Sequence, residues 1–193
     1  MNTRSILIVG VGGQGTLLAS RVLGNLFVDL GYDVKISEVH GMAQRGGSVV
    51  THVRYGTKVY SPLIEPGTAD ILLAFEKMEA LRWIHFLKPD GRAIINSQEI
   101  EPMSVIMGTY EYPKDLEGRI LKACAGTVFF DALSVAQELG NVRVANTALI
   151  GVLARLMDVA PEAWEKAVKA VVPPKTVDIN LKAFRRGYNL EVS

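Results

Sequence analysis

Hydrophobic positions follow two rhythms along this chain. Ser5–Val9 (SILIV) is a short apolar run rich in β-branched residues and bounded by Gly10, which predicts a buried strand. Leu18, Val22, Leu23, Leu26, Phe27 and Leu30 then recur at helical spacing, predicting a helix over Thr16–Leu30. Gly31 follows, where a glycine often ends a helix. Asp33–Val39 predicts a second strand. Strand, glycine loop, helix and strand in that order make a βαβ unit, which predicts a parallel sheet with a right-handed crossover.

The period drops to two at Ser48–Tyr55, where Val49, Thr51, Val53 and Tyr55 alternate with Ser48, Val50, His52 and Arg54. A tight turn at Gly56–Thr57 is expected to lead into a short strand, attaching an antiparallel hairpin to the parallel sheet. Asp70–Phe75 predicts another buried strand, Met78–Leu87 a helix, Lys88–Gly91 a turn, and Arg92–Ser97 a further strand. The C-terminal third is helical. Ala132–Leu139 ends at Gly140, and Asn146 is expected to cap Thr147–Met157, which is apolar nearly all round. Pro161 opens a helix with Trp164, Ala167, Val168, Val171 and Val172 on one face, and Pro173–Pro174 closes it. Asp178–Tyr188 is the last helix. The expected fold is α/β, a three-layer α/β/α arrangement. Its sheet is mainly parallel with an antiparallel hairpin, and C-terminal helices follow. A single domain spans 1–193, with about 1–130 as the sheet core and about 131–193 packed on it.

Composition narrows the classes of function. Hydrophobic residues make up 49% of 193, enough for a sizeable core. The net charge is +1 and no Lys/Arg block occurs, which argues against a nucleic-acid partner. The N-terminus has no secretory pattern, and the longest apolar stretch, Ala148–Met157, is interrupted by Arg155. No membrane association is expected, and the chain reads as cytoplasmic. The single cysteine, Cys124, cannot make an internal disulfide or supply the ligands of an iron–sulfur cluster, and it is expected to be a small core residue.

Gly10, Gly12 and Gly15 form a G-x-G-x-x-G pattern, with Gly13 and Gln14 between them, directly after a strand and before a helix. Such a loop lets a phosphate approach the backbone and meet the N–H groups of the helix N-terminus. It equally permits tight strand–helix packing. A nicotinamide site would use an acidic residue at the end of the second strand, and Glu38 stands there. The loop His40–Gly47 leaves the same end of the sheet. Arg45 offers a forked donor for a phosphate or carboxylate, and Gly46–Gly47 allow close backbone approach. Ligand contact and contact with another subunit are both open for this loop. His52 is expected to be solvated or at an interface, and His85 to be structural. Glu76 and Glu79 are expected to cap the helix that follows them. The three histidines are isolated, so no metal site is expected.

The stretches ILIVGVGGQG, EVHGMAQRGG, SPLI, ADILLAFEKMEALR and NTALIGVLARL resemble the gamma-type domain of the 2-oxoacid:ferredoxin oxidoreductases over nearly the whole chain. The EVHGMAQRGG segment resembles their indolepyruvate branch in particular. The resemblance implies a complex that oxidatively decarboxylates aryl pyruvates to aryl-acetyl-CoA and passes electrons to ferredoxin. It implies thiamine diphosphate, Mg and iron–sulfur clusters on a large alpha subunit, with CoA as acyl acceptor. Gly10, Gly12, Gly13, Gln14 and Gly15 then become candidates for a CoA phosphate, and His40, Arg45, Gly46 and Gly47 for the loop rim or the subunit contact. This chain would be the non-cluster subunit, without a catalytic residue of its own assigned. A stand-alone nucleotide-binding dehydrogenase or sensor is the alternative.

Overall fold

The computed structural model describes residues 3–40 and 46–190. Its strands are β1 (Arg4–Val11), β2 (Asp33–His40), β3 (Ser48–Gly56), β4 (Ala69–Ala74), β5 (Leu87–Asn96) and β6 (Thr127–Phe130). Its helices are α1 (Thr16–Asp29), α2 (Lys77–Trp83), α3 (Met103–Ile106), α4 (Leu116–Ala123), α5 (Ala132–Glu138), α6 (Ala145–Arg155), α7 (Pro161–Val171) and α8 (Val177–Tyr188). One sheet holds the strands in the order β2-β3-β1-β4-β5-β6. β1, β4, β5 and β6 pair in parallel, while β3 runs antiparallel to both β1 and β2.

This order corrects the simple βαβ expectation. β1 and β2 point the same way, but β3 fills the slot between them. β3 tolerates that interior place because both of its faces are covered, with Val49 and Val53 buried on one and Val50 and His52 on the other. The hairpin therefore joins β2 to β3 and does not turn at Gly56–Thr57. No strand forms between β3 and β4, because that segment is held across a face of the sheet instead. Arg54 Nη1 donates to the carbonyls of Ser61 (3.0 Å) and Leu63 (3.2 Å), and the Ile64 N–H donates to His52 Nδ1 (3.1 Å). Val59 and Ile64 are buried under it.

Two other expectations change. Lys88–Gly91 lies inside β5, where it swells out of register between the pairs Ala69↔Leu87 and Ile71↔Arg92. Asn146 does not cap α6 from outside. It sits within the first turn, and its Oδ1 accepts the Thr147 N–H at 2.7 Å. α3, α4 and β6 arise in a stretch for which the hydrophobic pattern predicts no element.

The sheet is the middle of three layers. Ile6, Ile8, Val53, Leu73 and Ile94 face Leu23 and Phe27 of α1, Leu149 of α6, Trp164 of α7 and Phe184 of α8. Leu7, Val9, Val50, Leu72 and Ile95 face Ala80 of α2 and Leu116 and Ile120 of α4. Each such buried side chain stabilises the fold by about 1.5–3 kcal/mol. Residues 147–154 of α6 are all buried, as its all-round apolar pattern requires. Cys124 is half-buried at the end of α4, with Sγ 3.5 Å from the Gly91 carbonyl. Among the described residues, no helix is long and apolar enough to cross a membrane.

Candidate functional site

β1 leads into α1 on one face of the sheet, and β4 leads into α2 on the other. The carboxyl ends of β1 and β4 thus mark a topological switch point, where open α/β sheets usually hold ligands. The glycine loop and the stem of the β2–β3 loop converge at this edge. The Gly12 N–H donates to the Gly47 carbonyl (2.9 Å), and the Gly46 N–H reaches the Gly12 carbonyl (3.5 Å). The side chain of His40 and the whole of Arg45 fall outside the described residues.

The loop glycines divide by role. A Cβ on Gly10 would press on Gln14 Oε1 and Phe75 Cβ, both at 3.0 Å, so this glycine serves packing. Gly15 has φ +87°, a conformation that strains any side chain, and it faces the Asn146 side-chain amide. Gly13 has φ +103°, and nothing lies within 4 Å of where its Cβ would be, so the loop opens to free space there. Gln14 is a tie and not a free donor. Its Oε1 accepts the Val11 N–H (2.8 Å), and its Nε2 donates to the Phe75 carbonyl (2.8 Å) and to Gln98 Oε1 (3.0 Å). Glu38, the acid expected of a nicotinamide site, accepts the Ser20 hydroxyl at 2.8 Å and so ties β2 to α1.

Gly13 opens into a cleft of about 720 Å³. Its wall includes the first residues of both α1 and α6, so two positive helix ends face the same space. Arg21 of α1 and Arg143 line it, and among the described residues no Asp or Glu does. Asn146 and Gln98 add amides. Such a lining suits an anionic ligand. Arg21 and Arg143 carry no sequence motif, and only the fold brings them beside the glycine loop. The sole sequence signal was the position of Arg21, within two turns of the loop.

The acidic and histidine candidates lie around this edge. Glu76 is the N-cap of α2, and its Oε2 accepts the Glu79 N–H at 2.8 Å. Its Oε1 accepts the Tyr112 hydroxyl (2.8 Å) and the Ile100 N–H (3.3 Å). Burial, aided by that bond to a carboxylate, pushes the Tyr112 phenol well above its ordinary pKa. Glu79 caps nothing. It is buried in the first turn of α2 and bonds Ser48 and Arg82. His52 is buried and not solvated, against one of the two settings expected for it, and burial lowers its pKa. His85 stacks on Trp83, and its Nδ1 lies 3.1 Å from the Arg82 carbonyl. Among the described residues, no group of three or more His, Cys, Asp or Glu is placed to hold a metal.

Comparison with known proteins matches this architecture to one family. The family described as pyruvate ferredoxin/flavodoxin oxidoreductase matches residues 5–190. The indolepyruvate oxidoreductase subunit IorB of Thermococcus kodakarensis is 42% identical over 192 residues, covering 97% of this chain and 95% of that one. The IorB subunit of Pyrococcus horikoshii is 43% identical, with the same coverage. The crystal structure of a keto/oxoacid ferredoxin oxidoreductase gamma subunit from Geobacter sulfurreducens superposes with a TM-score of 0.70 at 26% identity, covering 96% of each chain. With the family match spanning nearly every residue of the sheet and of both helical layers, the chain belongs to the pyruvate ferredoxin/flavodoxin oxidoreductase family.

Proposed function

We propose that this chain is the small, non-cluster subunit of an indolepyruvate:ferredoxin oxidoreductase, a complex that oxidatively decarboxylates aryl pyruvates to aryl-acetyl-CoA. The observation that carries the reading is its near-full-length identity with IorB subunits. Thiamine diphosphate, its Mg ion and the iron–sulfur clusters belong, in this reading, to a larger partner. A single thiol on this chain agrees with that division. Thiamine diphosphate supplies the carbanion chemistry, and ferredoxin takes the electrons.

The part assigned to this chain is to hold CoA and complete the partner's active site. The switch-point cleft supports the first role. Gly13 leaves room for a phosphate at the N-terminus of α1, and Arg21 and Arg143 supply charge where no carboxylate among the described residues lines the wall. The β2–β3 loop is assigned to the rim and the subunit contact, with Arg45 as its forked donor.

The test is reconstitution with the large subunit and a CoA-dependent assay of indolepyruvate oxidation with ferredoxin. Neither subunit alone should turn over. Arg21→Ala and Gly13→Val should each raise the KM for CoA by about tenfold, the scale of one lost charge-assisted hydrogen bond, with thiamine content unchanged. Gly13→Val also strains a positive φ, so Arg21→Ala is the cleaner probe. Wild-type CoA kinetics in an assembled Arg21→Ala complex would remove CoA from the cleft.

A further inference from the structure

Two carboxylates in the first turn of α2, Glu76 and Glu79, are 0% and 2% exposed, and the reading above uses neither. Glu76 has a structural occupation, because its oxygens cap α2 and hold Ile100 and Tyr112. Glu79 points elsewhere. Its Oε2 accepts the Ser48 hydroxyl, and its Oε1 accepts the Arg82 Nε–H at 3.1 Å. Ser48 opens β3 and directly follows the Gly46–Gly47 pair. A carboxylate taken out of water is costly unless its oxygens are satisfied. Here Arg82 satisfies one oxygen from the same helix, and the stem of the β2–β3 loop, far away in sequence, satisfies the other.

That stem is held from two sides. The backbone of Gly12 bonds Gly46 and Gly47, and the side chain of Glu79 bonds Ser48. Gly46 has φ +76°, and two successive glycines give the chain little stiffness of its own. The first side-chain anchor beyond them therefore decides where the loop re-enters the sheet. Glu79 delivers that anchor from a fixed place, since its own N–H is pinned by Glu76 in the capped turn of α2.

We propose that Glu79, acting through Ser48, is the positioning residue for the loop between β2 and β3. It sets the stem at 46–48 against the glycine loop, on the face assigned above to the large subunit. The proposal rests on the reading that this loop serves the assembled complex. The experiment compares Ser48→Ala, Glu79→Ala, Glu79→Gln and the double variant Ser48→Ala/Glu79→Ala. It reads amide exchange at 46–48 in the chain alone, the Kd for the large subunit, and the melting temperature. Ser48→Ala and Glu79→Ala should each speed exchange at 46–48 and raise the Kd by about tenfold, as expected for a hydrogen bond to a charged group. The double variant should be no worse than either single one. Glu79→Gln keeps an acceptor for Ser48 and should recover most of the affinity. Wild-type exchange and affinity in Ser48→Ala, or additive losses in the double variant, would overturn the proposal. Ser48→Ala removes a single oxygen and keeps the test valid if Glu79→Ala fails to fold. A wild-type complex that assembles but oxidises no aryl pyruvate would defeat the functional reading alone, because exchange and affinity still decide the role of Glu79.

Discussion

His52 is held neutral by its surroundings. Its Nδ1 must stay unprotonated to accept the Ile64 N–H, and the Phe86 ring packs on it edge to face, with centroids 6.3 Å apart. Burial lowers its pKa below the unfolded value near 6.5. The stability tied to the neutral ring is therefore present above about pH 6.5 and is lost as the pH falls through the lower folded value. We predict that the melting temperature declines as the pH falls below about 6.5, and that His52→Gln, which keeps an acceptor but does not titrate there, flattens the decline. Equal slopes for the two proteins would assign the decline to other groups. This role was not legible in the sequence. Alternation on β3 placed His52 and Arg54 on one face, but nothing local told that the segment after β3 would fold back onto that face. Glu79 was hidden for the same reason, because its partner Ser48 lies on another element. Gln14 was marked by its place inside the glycine motif, but as a ligand candidate and not as the tie between loop and sheet that it forms.

At the scale of elements, α6 and α8 meet at two glycines. A Cβ on Gly151 would collide with the Phe184 carbonyl and come within 2.8 Å of the Tyr188 nitrogen, and one on Gly187 would collide with the Ala148 carbonyl. These obstacles are backbone, which cannot rotate aside. Gly151→Ala, normally favourable in a helix by up to about 1 kcal/mol, is predicted instead to destabilise by about 1–3 kcal/mol or more, read as a lower denaturation midpoint. A neutral or stabilising result would mean the helices can separate without loss. The long helices were legible because their stripes run for several turns. α3, α4 and β6 were not, since each is short and its pattern is too brief to rise above chance. The β2–β3 hairpin was misread by one step. Gly56–Thr57 carries the stronger turn signal, but a turn residue permits a reversal without requiring it.

For the whole molecule, the three layers were legible from strand and helix order. The position of β3 was not, because strand order depends on which edges remain free and not on any local pattern. The cleft was half legible, as the glycine loop announced itself but its arginines did not. The insertion of β3 between β1 and β2 also has a bearing on how the chain assembles in time. β2 and β3 close over a short connection and then dock on β1, so the first three strands can pair before any parallel partner is needed. The β1–β4 pairing spans a longer stretch of sequence, joining Ile6 to Ile71, and closes a costlier loop. Pulse-labelled exchange during refolding is therefore predicted to protect β2 and β3 amides ahead of those in β5 and β6, and the reverse order would contradict this. A nascent chain that has emerged only through β3 already contains both partners of the contact at this sheet edge, the glycine loop and the stem at 46–48. That edge of the sheet would then be shaped early in synthesis, before the helices that bury the rest have left the ribosome.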